Sequence, residues 1–488
     1  MMDGWFMGVR TLIVGLAREG TALTGFLAKR GAIVTVTDAK PAEALAERLA
    51  ALEGARVGFA LGGHPRTLLG DTDVVFVSPG VPLDIPFLVE ARERGVPLSS
   101  ETRLFTRLCP APVVGITGSS GKSTTTALVG DMLGAAGPQV ATRRVWVGGN
   151  IGQPLIGHLD EIAPEDRVIM ELSSFQLDLF GPWASGGGDA NNPLLDRAGW
   201  SPSLAVILNI TPNHLDRHGT MDAYISAKRH IVDHQLPGDV AVLNRDNEIT
   251  RRIGTGSPGI PGDIVWFSLA EAVERGAFLR GDEIVLRRAS GEEAVVCRRS
   301  DVRLLGRHNL ANVVAACAIA AEAGADLEGL RRAATTFSGV PHRLELVRAR
   351  QGVRWYNDSI ATSPERTMAA LRSFDAPIVL LAGGRDKHLP WEEMARLAWR
   401  SARHVILFGE AAAAIEAALR ETAPGAEEPG PAATISVAGS LEEAVAEAAQ
   451  LAQPGDVVLL SPGGTSFDAY ADFVERGEHF RHLVNALE

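Results

Sequence analysis

The stretch Gly115–Thr126, GITGSSGKSTTT, puts closely spaced glycines and a Lys-Ser-Thr tail between an apolar run at Pro112–Val114 and a helix-like run at Ala127–Leu133. A strand, a glycine turn and a helix in that order make a phosphate cradle. Successive backbone N–H groups and the positive end of the helix face an anion. Gly118 and Gly121 belong to the turn, Lys122 adds a point charge, Ser123 can offer a hydroxyl to Mg2+, and Thr124 follows it. The glycine spacing is GxxGxxGKST and not the strict P-loop pattern, because Gly115 and Gly121 enclose five residues, the first of them Ile116. The plain alternative is an ordinary glycine turn between a strand and a helix.

A second strand-like run, Val168–Leu172, carries Glu171 into the polar turn Ser173-Ser174. In open α/β sheets ligands sit at the carboxyl edge of the strands. Glu171 could therefore face Lys122 and Ser123 and hold Mg2+ that bridges nucleotide phosphates. Its other reading is a salt-bridged strand end. The next run, Leu204–Ile210, ends in TPNHLDRH, Thr211–His218, and Lys228 lies fourteen residues after His214 within YISAKRHI. Two histidines, an aspartate and a lysine gather there, although a lone histidine is usually structural and a lone lysine usually solvated. As an ammonium Lys228 could not bind Mg2+, because hard cations take oxygen ligands. It needs modification or a different task.

The elements that must position these groups alternate along the chain. Strand-like runs at Arg10–Val14, Ile33–Thr37 and Val74–Ser78 are interleaved with helical ones at Thr21–Lys29, Ala42–Ala51 and Pro86–Arg94, which predicts a parallel sheet. Its first turn, Gly15-Leu16-Ala17-Arg18-Glu19-Gly20, is close to the dinucleotide fingerprint but has Ala17 at the middle glycine, and Asp38 ends the next strand. Ala17 disfavours a redox dinucleotide and leaves another nucleotide, or packing alone, as the reason for the turn. Ser78 could reach a ligand or cap the next element. After the second α/β block come short strands across Gly262–Arg298 and a long helix at Asn309–Ala323. A third block follows Pro341, with strands at Val353–Tyr356, Ile378–Leu381, Val405–Phe408, Ile435–Val437 and Val457–Leu460. Gly186–Trp200 and Glu421–Ala433 read as surface loops.

At 488 residues the chain suggests about three domains. A net charge of -12 argues against a general nucleic-acid binder. No apolar run approaches the roughly 18 residues that span a bilayer, and MMDGWFMGVR does not read as a signal peptide. Cys109, Cys297 and Cys317 lie far apart with no CxxC, so neither a zinc site nor a disulfide framework is expected, and a reducing cytoplasm is the simplest home.

Ten motifs in order give the chain a wider likeness. They are TGSSGKST at Thr117–Thr124, GGNIGQPL at Gly148–Leu155, ELSSFQL at Glu171–Leu177, NITPNHLDRH at Asn209–His218 and YISAKRHI at Tyr224–Ile231. In the later half come GRHNLAN at Gly306–Asn312, VPHRLE at Val340–Glu345, YNDSIATS at Tyr356–Ser363, GGRDK at Gly383–Lys387 and SPGGTSFDAYADF at Ser461–Phe473. Together they resemble the Mur ligases of peptidoglycan synthesis over essentially the whole chain. The resemblance implies an α/β protein of three domains. These are a Rossmann-like UDP-sugar-binding domain (1–110), a central P-loop-type ATPase domain (111–339) and a Rossmann-like glutamate-binding domain (340–488).

It also implies roles. Lys122 and Ser123 would meet ATP phosphates and a first Mg2+, which Glu171 completes, and His214 would serve a second Mg2+. Lys228 matches the carbamylated lysine of the family, an oxygen anion and so a fitting Mg2+ partner. Asn309 or Asn312 would meet adenine, Arg343 the γ-phosphate and Asp358 the ribose. Lys387, Ser466 and Phe473, with Thr362 close by, match positions for the incoming glutamate, and Ser78 and Asn150 match contacts to the UDP-sugar. The implied reaction is ATP-dependent addition of glutamate, expected as the D-isomer, to UDP-N-acetylmuramoyl-L-alanine through an acyl phosphate. A monomer with no nucleic-acid or membrane partner is the expected form.

Two departures stand out: Ser120 replaces the asparagine usual in TGxNGK, and Ile360 replaces the lysine usual in NDSKAT. The second could alter which amino acid is accepted. The competing readings are the same reaction with L-glutamate or another amino acid, a folylpolyglutamate synthase-like ligase, and, in another class, a regulatory NTPase.

Overall fold

Strands of two to seven residues, most of them largely apolar, pair into three sheets. The computed structural model describes residues 3–134, 144–182, 194, 198–257, 259–304, 306–386, 389–423 and 434–487. The chain divides into two compact units, Met1–Phe337 and Ser338–Glu488. The first unit holds two of the three sheets and the second holds the third.

The first sheet is parallel throughout, in the order Val57–Leu61, Ile33–Asp38, Arg10–Val14, Val74–Val77 and Leu98–Ser99. Helix Arg18–Lys29 starts at the turn itself, earlier than the expected Thr21, with Leu23, Phe26 and Leu27 buried. The expected helix Ala42–Ala51 is a 3-10 turn, Ala42–Leu45, followed by a short α-helix, Ala46–Ala50. Neither has a side-chain cap, so five helical residues have little to hold them beyond contact with the sheet.

The second sheet has nine strands, in the order Glu293–Arg298, Glu283–Arg287, Gly276–Arg280, Asp263–Ser268, Val240–Asn244, Leu204–Ile207, Val113–Thr117, Arg167–Glu171 and Val145–Gly149. The last seven are parallel, and the first two add an antiparallel edge. Strand Val113–Thr117 lies between its neighbours with Ile116 opposite Glu171 and Thr117 opposite Ile207. This register brings the carboxyl ends of three strands together at the glycine turn. Helices Lys122–Gly134 and Arg307–Glu322 pack on one face through Leu128, Val129, Met132, Val313, Val314 and Cys317. Burial of each large apolar side chain of this kind contributes about 1.5–3 kcal/mol.

The sheet of the second unit runs Glu345–Arg350, Val353–Asn357, Val457–Gly463, Ile378–Gly383, Ala402–Phe408 and Thr434–Val437. The five expected strands are parallel, and Glu345–Arg350 joins them as an antiparallel edge. Its hairpin turns at Gln351 and Gly352, φ 50° and 80°, and positive φ at both central residues suits the twist of paired strands. Most of Gly186–Trp200 and of Glu421–Ala433 lies outside the described residues. Among the described residues no helix is long and apolar enough to cross a membrane.

Candidate active site

The glycine turn is built as the spacing predicts. Strand Val113–Thr117 ends at buried Gly118, and helix Lys122–Gly134 begins one residue after Gly121. Gly121 has φ +82°, and a Cβ there would lie 2.3 Å from Asn312 Oδ1, so only glycine fits. The Ser119 hydroxyl donates to Thr211 O at 2.9 Å, and the Ser120 N–H donates to Asn209 Oδ1 at 2.9 Å. The Asn209 side-chain N–H donates back to Ser120 O at 3.1 Å. The turn is thus fixed from the end of the neighbouring strand Leu204–Ile207. Ser123 and Thr124 are buried on the first helical turn, where the free N–H groups and the helix dipole favour an anion.

Lys122 is half-buried and donates to Gly118 O at 2.9 Å. Lys228, on helix Met221–Asp233, is 1% exposed and donates to the same Gly118 O at 3.0 Å and to Thr117 Oγ1 at 3.2 Å. Burial pushes the Lys228 amine well below the ordinary lysine range, the charge of Lys122 pushes it further, and Glu171 and Asp178 only partly oppose this. Glu171 is 2% exposed, and its Oε1 accepts from Asn150 Nδ2 at 2.8 Å. Its Oε2 is buried with no partner. An unpaired carboxylate oxygen at that depth is costly, and a cation is the ligand it suits. No group of three or more His, Cys, Asp or Glu among the described residues could hold a metal alone. Mg2+ does not need one, since it is commonly held by one or two carboxylates together with substrate phosphates. The residues present fit such an ion.

His214 is exposed and sits at φ 54°, a left-handed conformation that turns the chain into the short helix Leu215–His218. Its ring meets Phe175 edge-on at 5.2 Å, and His218 stacks on the same Phe175 at 5.3 Å. His218 Nε2 is 2.9 Å from Ser174 Oγ. Phe175 and Ser174 follow Glu171, so this packing brings the histidine loop to the Glu171 strand end. Asn312 is buried and donates to Asn309 Oδ1 at 3.2 Å, which places both amides on the helix that crosses Gly121.

In the first sheet, Ser78 is buried and donates to Gly15 O at 2.7 Å, so it ties two strand ends together. Asp38 caps the Gly15–Gly20 turn by accepting from Leu16 N at 2.7 Å. Asn150 is exposed, with its backbone N–H on Glu171 O at 2.9 Å.

The second unit gathers its own motif residues at the carboxyl end of its sheet. Asp358 is buried and accepts from Ser461 Oγ at 2.8 Å and from Leu344 N at 3.2 Å, and burial raises its pKa to about 7. Arg343 is half-buried nearby and Thr362 is half-buried on the same loop. Ser466 is buried, and Phe473 opens helix Phe473–Ala486 with its ring 6.2 Å from His342. Lys387 lies outside the described residues.

Comparison with known proteins matches three family descriptions in order: "Mur ligase MurD-like, N-terminal domain" over 9–100, "Mur ligase middle domain" over 116–320 and "Mur ligase, glutamate ligase domain" over 342–464. A relative from Symbiobacterium thermophilum, UDP-N-acetylmuramoylalanine--D-glutamate ligase, is 43% identical over the whole of both chains. The chain belongs to the Mur ligase family. The enzyme of the same name from a Roseiflexus species is 42% identical to this Mur ligase, over 98% of the chain and 99% of the relative. Among solved structures, the UDP-N-acetylmuramate-alanine ligase of Thermotoga maritima matches with TM-score 0.53 at 18% identity, covering 98% of this chain and 99% of that one. MurF from Acinetobacter baumannii matches with TM-score 0.53 at 17% identity, covering 97% and 94%. At such identities these two show the shared fold.

Several residues of this Mur ligase matter to the site without having been singled out from sequence. Asn209 holds Ser120, and Tyr224 meets Ser119 Oγ at 3.0 Å with its ring 4.9 Å from Lys228 Nζ. Gln176 donates to Glu19 Oε1 at 2.9 Å and to Thr102 Oγ1 at 3.1 Å, tying the first sheet to the Glu171 segment. A polar residue two places after a buried strand was the available signal for Asn209. The two departures have local partners: Ser120 is bracketed by Asn209, and Arg366 donates to Ile360 O at 2.9 Å.

Proposed function

We propose that the protein is an ATP-dependent ligase that adds D-glutamate to UDP-N-acetylmuramoyl-L-alanine. The observation that carries this reading is the meeting of Lys122 and Lys228 at Gly118 O beside the unpaired Glu171 oxygen. The names of the whole-chain relatives support the choice of substrates.

A carboxylate is a poor acyl donor. The alanyl carboxylate attacks the γ-phosphorus of ATP, the P–O bond to ADP breaks, and an acyl phosphate forms. The glutamate amine then adds to the acyl carbon, and the tetrahedral intermediate collapses to an amide and inorganic phosphate, the amine losing its proton. Gly118, Gly121, Ser123 and Thr124 cradle the phosphates, while Lys122 and Arg343 offset charge on the transferring group. Asn309 or Asn312 takes the adenine and Asp358 the ribose. Ser78 and Asn150 serve the UDP-sugar, and Thr362, Lys387, Ser466 and Phe473 the glutamate.

Two Mg2+ ions fit this assignment, one with Ser123 and Glu171, the other with His214 and a carbamylated Lys228. Bound with the nucleotide, they would supply positive charge to the phosphoryl oxygens. The depressed pKa of Lys228 favours its neutral amine, which can add to carbon dioxide and release a proton to give a carbamate. The carbamate keeps one N–H, enough for one of the two present acceptors. The protein is proposed to act in the cytoplasm as a monomer.

The test is isotopic. With both alanyl carboxylate oxygens of the acceptor labelled with 18O, the acyl-phosphate route delivers one label to inorganic phosphate. Unlabelled phosphate from a productive turnover would exclude that route.

A further inference from the structure

Arg476, a guanidinium that the chemistry above does not use, is fully buried within the second unit, at 0% exposure. Its Nε donates to Ser359 Oγ at 3.0 Å and its Nη2 to Ser359 O at 2.9 Å, while Nη1 and Nη2 both reach Gly464 O at 3.2 Å. The Ser359 hydroxyl in turn donates to Phe473 O at 2.8 Å. A Cβ on Gly384 would stand 2.7 Å from Arg476 Nη1, so that glycine leaves the guanidinium its space. Gly384 and Gly464 belong to loops that also pair directly, Arg385 N to Thr465 O at 2.7 Å and Thr465 N to Arg385 O at 3.0 Å.

One side chain therefore meets the Asp358–Ser363 loop, the loop around Gly384, the Gly463–Ser466 loop and the start of helix Phe473–Ala486. All its hydrogen bonds end on uncharged oxygens. Burying a guanidinium without an ion-paired carboxylate is expensive, and packing alone would be better served by an apolar side chain of the same volume. Burial lowers its pKa to about 10, with Asp468 and Tyr470 nearby opposing the shift, so it stays protonated at neutral pH. A planar fork is the group that can hold two backbone carbonyls on different loops at fixed spacing.

We propose that Arg476 is the positioning residue of the amino-acid site: it locks the Ser359 and Gly464 loops together, against Gly384, and so presets the pocket that receives the acidic amino acid. This rests on the glutamate-ligase reading. The expected signature is a defect in amino-acid binding that leaves nucleotide binding alone.

The experiment is steady-state kinetics of the full-length Arg476→Lys variant, which keeps the charge and loses the fork. KM for D-glutamate should rise about tenfold or more, with KM for ATP within about twofold of wild type. If Arg476→Lys does not fold, Ser359→Ala removes the Nε acceptor together with the hydroxyl bond to Phe473 O, and its KM for D-glutamate should rise about threefold at unchanged KM for ATP. Unchanged KM for D-glutamate in the folded variant, or KM values for both substrates rising together, would overturn the proposal. A wild-type protein whose ATP turnover ignores amino acids would instead sink the ligase reading, so the two failures are told apart.

Discussion

Lys122 and Lys228 aim their amine nitrogens at the same oxygen, the carbonyl of Gly118, at 2.9 and 3.0 Å. Two ammonium groups on one acceptor repel each other, and the repulsion is strongest where water is excluded. Of the two, Lys228 is the buried one, so it is the one whose proton is held more weakly than in an ordinary lysine.

The first prediction follows from that weakened hold on the proton, which favours carbamate formation. Lys228→Ala should lose activity by about a hundredfold or more, and Lys228→Arg should not restore it, because a guanidinium can form no carbamate. Wild-type enzyme in carbon dioxide-free buffer should weaken and recover on addition of bicarbonate. Wild-type rates in either variant would remove the carbamate from the account.

Glu171→Gln tests the unpaired oxygen. The Gln carbonyl can still accept from Asn150, so shape and fold are kept while the charge is lost. The half-saturating Mg2+ concentration for activity should rise about tenfold or more, with the melting temperature unchanged or raised. An unchanged Mg2+ titration would exclude Glu171 as a metal ligand.

A third prediction concerns pH and stability. Glu19 and Glu101 are both buried where helix Glu101–Leu108 and the Gly15–Gly20 turn meet, and burial raises both carboxyl groups above the ordinary carboxylate range, to about 7 and about 8. Repulsion from Glu19 raises Glu101 further, against weaker opposition from the Ile156 N–H, the Thr102 hydroxyl and Arg18. A raised carboxyl pKa means that the folded state holds protons which the unfolded state has lost. The stability associated with these groups is therefore greatest at and below pH 4.5 and falls as pH rises through the folded-state values. Glu101→Gln should make the melting temperature fall less between about pH 6 and about pH 8.5 than it does in wild type. Identical slopes would contradict the shift.

Much of the first unit was legible because the required residue types leave few options. A strand that feeds a glycine turn and Lys-Ser-Thr can do little else than open a helix over an anion, and Gly121 confirms the need for glycine with φ +82°. The strand Val57–Leu61 was not read although VGFAL is apolar throughout: it is a short outer strand with a glycine inside it, its residues are half or fully exposed, and it shows no alternation of polar and apolar positions. Helix Glu101–Leu108 was missed for the opposite reason: Glu101, Thr102, Arg103 and Thr106 are polar yet buried, which hides its inner face. Arg103 explains its own burial by donating to backbone carbonyls at Leu179, Gly181 and Ala198. Ser78 could be read as a ligand contact or a cap, and its hydroxyl bond to Gly15 O is a tertiary fact that no local pattern encodes. The same holds for the shared carbonyl of Gly118 and for Arg476, whose acceptors lie 117 and 12 residues away in the chain.

The most direct test of the central claim is phosphate release from ATP with each co-substrate omitted in turn. The account predicts release only when both UDP-N-acetylmuramoyl-L-alanine and D-glutamate are present, with L-glutamate and D-lysine failing to replace the latter. Phosphate release that persists without either co-substrate would contradict it and would identify a nucleotide hydrolase instead.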